Sequence, residues 1–412
     1  MASQRSAEVA SGRRTLTDEP TEGIARRTSW EDTQDTVGLP AVPNTDAAAP
    51  APPARPQPPA STSESTTTQP ERLEPLLPKA RDPLFDNAKF LAMALVVVGH
   101  GIEPLRGLQP VHALYFTIYL FHMPVFILIA GRLSRRFTAT PRQVQRLITG
   151  VVVPYLVFEV SYELAAHFWG GAAWTIDTLT PSFAMWFLIT LFVWRVTTPL
   201  WTAIKPGYAI VIALAISLMA GFSKLTTVLD LHRVLAFLPF YVAGLVLPLR
   251  YFDVLRNWWA RALAVPLLLG TFVAAYVYRL PLEWLYYRDR YHDLGVSNLS
   301  GVWHRAAYLA AGFILLSAFL ALVPRRHTFF TTLGAATLYV YLLHRYPRKA
   351  LAWSGVYDIH FLHTLAGAAV VIGGALVVTL VLASPPVVRL FRPIVEPKLN
   401  WLFRRTEPGK AA

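Results

Sequence analysis

The sequence predicts an all-α, polytopic transmembrane protein of about ten spans behind a disordered N-terminal tail. Three observations carry that prediction. Hydrophobic residues make up 54% of the 412-residue chain and charged residues only 15%, too apolar a balance for a soluble enzyme. Apolar windows near the roughly 20-residue length that crosses a bilayer recur after Leu84. Residues 1–80 form a separate block, with segments such as AAAPAPPARPQPPASTSESTTTQP that hold too little apolar surface to offset chain entropy. The chain thus divides into a disordered cytoplasmic tail (1–80), a transmembrane domain (81–388) and a basic cytoplasmic tail (389–412).

Composition also excludes. No basic start followed by an apolar run lies near Met1, so no cleaved signal peptide is expected. Cysteine is absent, which removes disulfides, thiolate metal sites and a cysteinyl acyl-enzyme. The net charge of +13 fits the arginine and lysine excess of cytoplasmic loops. Nucleic acid is not an expected partner, since no basic run carries interleaved aromatics.

The first span, 88–105, carries Lys89 and His100 eleven residues apart. Eleven residues make about three helical turns, leaving both on one face roughly 16 Å apart along the axis. An ionisable residue inside a membrane is a functional candidate by default. Neutral imidazole is the commonest general base, and Glu103, three positions on, is placed to orient the His100 ring. A core histidine satisfied by a neighbouring helix is the competing reading. Asp86 reads as a cap favoured by the helix dipole. The dipole disfavours Lys89, which either snorkels to the interface or binds a phosphate-bearing cofactor.

The second span, 111–130, contains IYLFHMPVFILIAGRL, where Pro124 after His122 is expected to bend the helix and free backbone carbonyls. Before the third span, 147–168, Arg142 and Arg146 share a face at i, i+4 and suit a phosphate clamp, although positive-inside statistics alone also place arginines there. The fourth, 184–202, opens with MWFLITLF, which reads as packing. Spans at 208–223, 234–249, 262–279 and 306–323 follow from apolar length alone. The ninth, 333–350, holds LGAATLYVYLLHRYP, with His344 a lone histidine near its outer end; 362–383 is the tenth.

Basic residues gather in the even-numbered gaps, from Arg132 and Arg135 through Arg250 and Arg256 to Arg325 and Arg326, so both termini are expected in the cytoplasm of a cell-membrane protein. The 280–305 loop mixes Arg288, Arg290 and Arg305 with Glu283, Asp289 and Asp293, and reads as a small folded external element. The tail segment FRPIVEPKLNWLFRR suits the inner membrane surface, its prolines arguing against one continuous helix. No GxSxG elbow, HExxH pair, Walker loop or Rossmann fingerprint occurs, and the scattered histidines give no reason to expect a metal.

Five stretches, in order, carry a resemblance: DNAKFLAMALVVVGH, YLFHMPVFILIAG, RLITGVVVPYL, MWFLITLF and LYVYLLH. Over residues 81–383 the chain resembles the acyltransferase 3 superfamily of integral-membrane O-acyltransferases, in particular its fucose-4-O-acetylase-like branch. Its most specific feature is a basic residue, ten intervening positions and a histidine, met by Lys89 and His100. The resemblance implies about ten helices, acetyl-CoA or another acyl-CoA arriving from the cytoplasm, and an acceptor hydroxyl on a carbohydrate or other envelope or secreted molecule. It implies an essential histidine at His100, a basic partner at Lys89 and a matching arginine at Arg146. Where the family often has Ser-Gly after the second span, this chain has Ala130-Gly131. The expected reaction is acyl transfer with His100 as general base. The rival is a transporter or flippase of a lipid-linked or small hydrophilic substrate, for which no internal repeat is evident.

Overall fold

Asp82 starts the ordered chain: its carboxylate accepts the Leu84 amide at 3.0 Å and Pro83 occupies the first turn, so α1 (Pro83–Ile102) begins under a capped N-terminus. The computed structural model describes residues 82–403 except 175, 176, 183, 224, 226 and 227. The expected disordered tail, and Arg404 and Arg405 of the basic tail, lie outside the described residues.

Every described regular element is a helix. After a 3₁₀ turn at Glu103–Leu105 come α2 (Gln109–Ser134), α3 (Pro141–Leu147), a π turn at Ile148–Val152 and α4 (Val153–Gly170). α5 (Trp186–Val196), α6 (Thr198–Ala203), α7 (Pro206–Met219), α8 (Leu231–Ala236), α9 (Leu238–Val246) and α10 (Leu249–Val254) are short. α11 (Trp258–Tyr278), α12 (Glu283–Tyr286) and α13 (Asn298–Leu322) follow. α14 (Thr337–Leu343), α15 (Arg345–Trp353), α16 (Leu365–Leu382) and α17 (Pro385–Val395) complete the order.

Among the described residues, six helices are long and apolar enough to cross a membrane: Pro83–Leu105, Gln109–Ser134, Pro141–Gly170, Trp258–Tyr278, Asn298–Leu322 and Leu365–Leu382. A seventh counts if Val228–Ala236 and Leu238–Val246, bent by 57°, form one span. Of the about ten apolar segments expected as spans, six or seven are thus long enough among the described residues to cross as helices. The remaining apolar segments are helical but short or broken. α5 stops at Thr197 ahead of Pro199, α7 has 14 residues, and the ninth segment divides into a 3₁₀ turn (Thr332–Ala336), α14 and α15.

α2 is the central helix, packed on α1, α9, α11 and α13. Gly131 and Gly244 set its approach to α9: a Cβ on Gly131 would overlap the Tyr241 carbonyl, and one on Gly244 the Leu128 carbonyl. Gly131 is therefore a packing residue. α2 continues as one helix through Pro124, from Gln109 to Ser134. The Leu120 carbonyl, whose i+4 partner is Pro124 with no N–H, faces Gly312 of α13, where a Cβ would lie 3.0 Å from the oxygen. A neighbour with no side chain leaves room for the freed carbonyl.

The 280–305 region is folded, as expected. Tyr291 is fully buried, its hydroxyl donating to the Leu218 carbonyl at 2.7 Å and its ring seated against Gly221 and Gly301. Arg305 lies 2% exposed beneath it, donating to the Asp289 carbonyl at 3.0 Å, its guanidinium 4.9 Å from the Tyr291 ring centre. This element meets the α1–α2 turn, where Arg106 donates to the Tyr286 hydroxyl at 2.8 Å. At the other end of the bundle α2 meets the α9–α10 junction, Arg132 donating to the Leu247 carbonyl at 3.1 Å. In the C-terminal segment, α17 continues through Pro393 to Val395 before a separate 3₁₀ turn at Asn400–Leu402.

Candidate active site

Gly99 decides what His100 can touch. A Cβ there would come within 2.9 Å of the Tyr119 ring; without one, Tyr119 of α2 lies close against α1. Its hydroxyl stands 3.2 Å from His100 Nδ1. His344, at the break between α14 and α15, stacks on His100 with ring centres 5.3 Å apart and planes at 25°. His122 packs on Tyr119 at 4.6 Å between ring centres. Two histidines, His100 and His122, therefore meet one tyrosine, and the third, His344, joins them through His100.

Two of them have a defined tautomer. His122 Nδ1 faces the Ile118 carbonyl at 2.9 Å, and His344 Nδ1 faces the Tyr341 carbonyl at 2.7 Å. A carbonyl only accepts, so Nδ1 carries the proton in each neutral ring. Among the described residues, no group of three His, Asp or Glu side chains has metal-binding geometry.

Glu103, expected to orient the His100 ring, opens the 3₁₀ turn that ends α1. Its carboxylate accepts from Arg348 of α15 at 2.9 Å and stands 4.0 Å from Arg106. Arg348 also faces the His100 carbonyl at 3.4 Å, so the pair fastens α15 to the end of α1.

Asp86 is not the cap, since Asp82 holds that position. Asp86 instead forms a 2.8 Å ion pair with Lys89. Lys89 borders a cavity of about 230 Å³ together with Phe126, Leu191, Arg195 and the π-turn residues Gly150 and Val151. A second cavity of about 50 Å³ is bordered by His100, Tyr119, His122, Trp186 and Arg233. Val96, Met123 and Tyr341 belong to the walls of both, so the cavity at Lys89 and the cavity at His100 adjoin. The spacing on α1 put both residues on one face; the cavities lie along that face.

Arg142 and Arg146 are exposed on α3 and border neither cavity. Arg146 precedes Gly150 by four residues, one helical turn from the cavity wall. Beside Lys89, the wall of the first cavity holds Arg195 of α5, which donates to Ser134 Oγ at 3.3 Å. The wall of the second holds Arg233, ion-paired with Asp230, donating to the Tyr286 carbonyl at 2.9 Å and lying 4.9 Å over the Trp186 ring. Neither arginine was singled out in the sequence, where each is one basic residue in an apolar run. Arginines inside apolar segments, rather than beside them, were the available signal.

Residues 83–384 match the family model described as an acyltransferase domain. No curated protein and no solved structure matches the chain.

Proposed function

The chain belongs to the acyltransferase 3 family, and from that membership we propose that it is a membrane-embedded O-acyltransferase using acyl-CoA, acetyl-CoA first among the donors. The acceptor is a hydroxyl on a carbohydrate or other envelope or secreted molecule. The observation that carries the reading is the pair of adjoining cavities bordered by Lys89 and by His100 along one face of α1.

Phosphate groups of CoA suit the cationic end, with Lys89 and Arg195 in the cavity wall and Arg142 and Arg146 exposed nearby. The pantetheine arm then extends between Met93, Phe126 and Leu191 towards the second cavity. There the acceptor hydroxyl gives its proton to His100 while its oxygen attacks the thioester carbonyl. The attack forms the new C–O bond, and collapse of the tetrahedral intermediate restores the carbonyl and breaks the C–S bond. The leaving thiolate takes the proton from His100 and departs as CoA-SH. With Nδ1–H donated to the Tyr119 oxygen, Nε2 is the basic nitrogen. In this orientation the Lys89 end faces the cytoplasm and both termini lie there.

The test is thiol release from acetyl-CoA by purified protein, supplied with extracts of envelope glycans and secreted metabolites. Acceptor-dependent release is expected, with His100→Ala slower by about 10²–10⁴-fold. Release at the wild-type rate from His100→Ala would overturn the assignment.

A further inference from the structure

Arg233 shares the wall of the second cavity with His100, and strained backbone holds it there from two directions. Leu229 and Asp230, just before α8, have left-handed backbone with φ of 55° and 49°, and Tyr287, after α12, has φ of 52°. These are three of the five non-glycine residues with positive φ among the described residues. Such backbone is unfavourable for a residue with a Cβ and persists where surrounding contacts over-determine it, often at functional sites. Here the contacts converge on one guanidinium. The Asp230 carboxylate pairs with its Nη1, and the carbonyl of Tyr286, the residue before Tyr287, accepts from its Nε at 2.9 Å. The Trp186 ring lies 4.9 Å away and stacks in turn on Phe237, ring centres 5.4 Å apart. Among the described residues these bonds use Nε and Nη1 and leave Nη2 over.

We propose that Arg233 is a catalytic residue whose Nη2 donates to the oxyanion of the tetrahedral intermediate. The proposal rests on the acyl-transfer reading. When the acceptor oxygen bonds to the thioester carbon, the carbonyl π pair moves onto the carbonyl oxygen. When that pair returns, the C–S bond breaks and the thiolate leaves with the proton held by His100. The charge exists only between these events, and an N–H fixed in place beforehand stabilises it without reorganising. Other polar groups of the wall are committed elsewhere. Tyr119 faces His100 Nδ1, Tyr341 donates to the Ala184 carbonyl, and the Tyr286 hydroxyl meets Arg106 and Tyr115. His122 spends its proton on the Ile118 carbonyl, so its Nε2 can only accept. Asp230 balances the guanidinium charge, so Arg233 offers an oriented N–H and not an unpaired cation that would hold a ground-state anion. A cavity of about 50 Å³ has room for a few waters, which suits a reacting carbon and its oxygens.

The test uses full-length protein in nanodiscs and requires no acceptor. Two unreactive analogues of acetyl-CoA are titrated by calorimetry: S-acetonyl-CoA, a planar ketone, and S-trifluoroacetonyl-CoA, whose ketone hydrates to a tetrahedral diol. Wild-type protein is expected to bind the tetrahedral analogue about 10²-fold tighter. Arg233→Lys keeps a cation beside Asp230, and the paired change Asp230→Asn with Arg233→Gln removes both charges. Each variant is expected to lose at least about tenfold of the preference while binding S-acetonyl-CoA as the wild type does. A preference kept in both variants, or none in the wild type, would overturn the proposal. Equal loss of both analogues from both variants would also sink it, assigning Arg233 to the fold or to CoA binding. A wild type that binds neither analogue refutes the acyl-CoA reading beneath it.

Discussion

His100 is legible in the sequence because an ionisable residue inside an apolar helix has few reasons to be there, and Lys89 marks the direction of the face it belongs to. Its immediate surroundings are not legible. Tyr119 is one tyrosine among 17, and nothing in its spacing says that it reaches Nδ1. His344 is 244 positions from His100 and meets it only through tertiary packing, so a lone histidine near a helix end reads as structural until the fold is known. The partner of Glu103 is equally hidden, since Arg348 stands 245 positions on and meets its carboxylate only through tertiary packing. Two predictions follow from these contacts. Tyr119→Phe keeps the ring and removes the hydroxyl, so kcat is expected to fall roughly tenfold, the effect of one lost hydrogen bond of about 1 kcal/mol, with KM for acyl-CoA unchanged. A rise in KM alone would assign Tyr119 to donor binding. Arg348→Met leaves the Glu103 carboxylate without its closest partner, and a lower melting temperature is expected; restoring Tm with Glu103→Gln in the same chain is the check, because it removes the unpaired charge.

Apolar windows located all ten helical regions but not which of them are continuous. The broken ones have a common place. α5, the α8–α9 bend and α14 supply Trp186, Arg233 and Tyr341 to the cavity walls, and the π turn supplies Gly150 and Val151. Irregular backbone inside a membrane is tolerated where it is buried in protein or lines a cavity, so these breaks belong to the site rather than to faulty spans. Hydropathy averages cannot report them, because a break changes the hydrogen bonding of a segment without changing its apolarity. α2 is the reverse case, a helix that continues through Pro124, with Gly312 across the interface leaving room for the Leu120 carbonyl that the proline frees. Close helix approach gives the prediction at this scale. Gly131→Ala inserts a methyl against the Tyr241 carbonyl and is expected to destabilise by about 1–3 kcal/mol, the usual range for overpacking. Gly107→Ala, where nothing lies within 4 Å, should leave the melting temperature unchanged in detergent. Equal effects of the two would show that α2 and α9 are not held at this distance.

The bundle has two chemically different ends, and the proposed reaction depends on which faces the cytoplasm. Around the Lys89 end lie the basic connections containing Arg135, Arg136, Arg250, Arg256 and Arg326. Around the other end, Arg288 and Arg290 pair with Asp289 and Asp293 in the folded 280–305 element. Positive residues are retained on the cytoplasmic side, and paired ones count for less as a topological signal, so the proposed reading puts the Lys89 end in the cytoplasm, on the side that supplies acyl-CoA. The absence of cysteine makes this testable on the native chain, since any introduced thiol is the sole target of a maleimide. Arg136 is exposed between α2 and α3, and the Arg288 side chain is 59% exposed in the opposite element. In intact cells, Arg288→Cys is expected to react with a membrane-impermeant maleimide and Arg136→Cys only after permeabilisation. The reverse pattern would put Lys89 and Arg195 outside, where no acyl-CoA is supplied, and the donor would have to reach His100 past Arg345 and Arg348 instead.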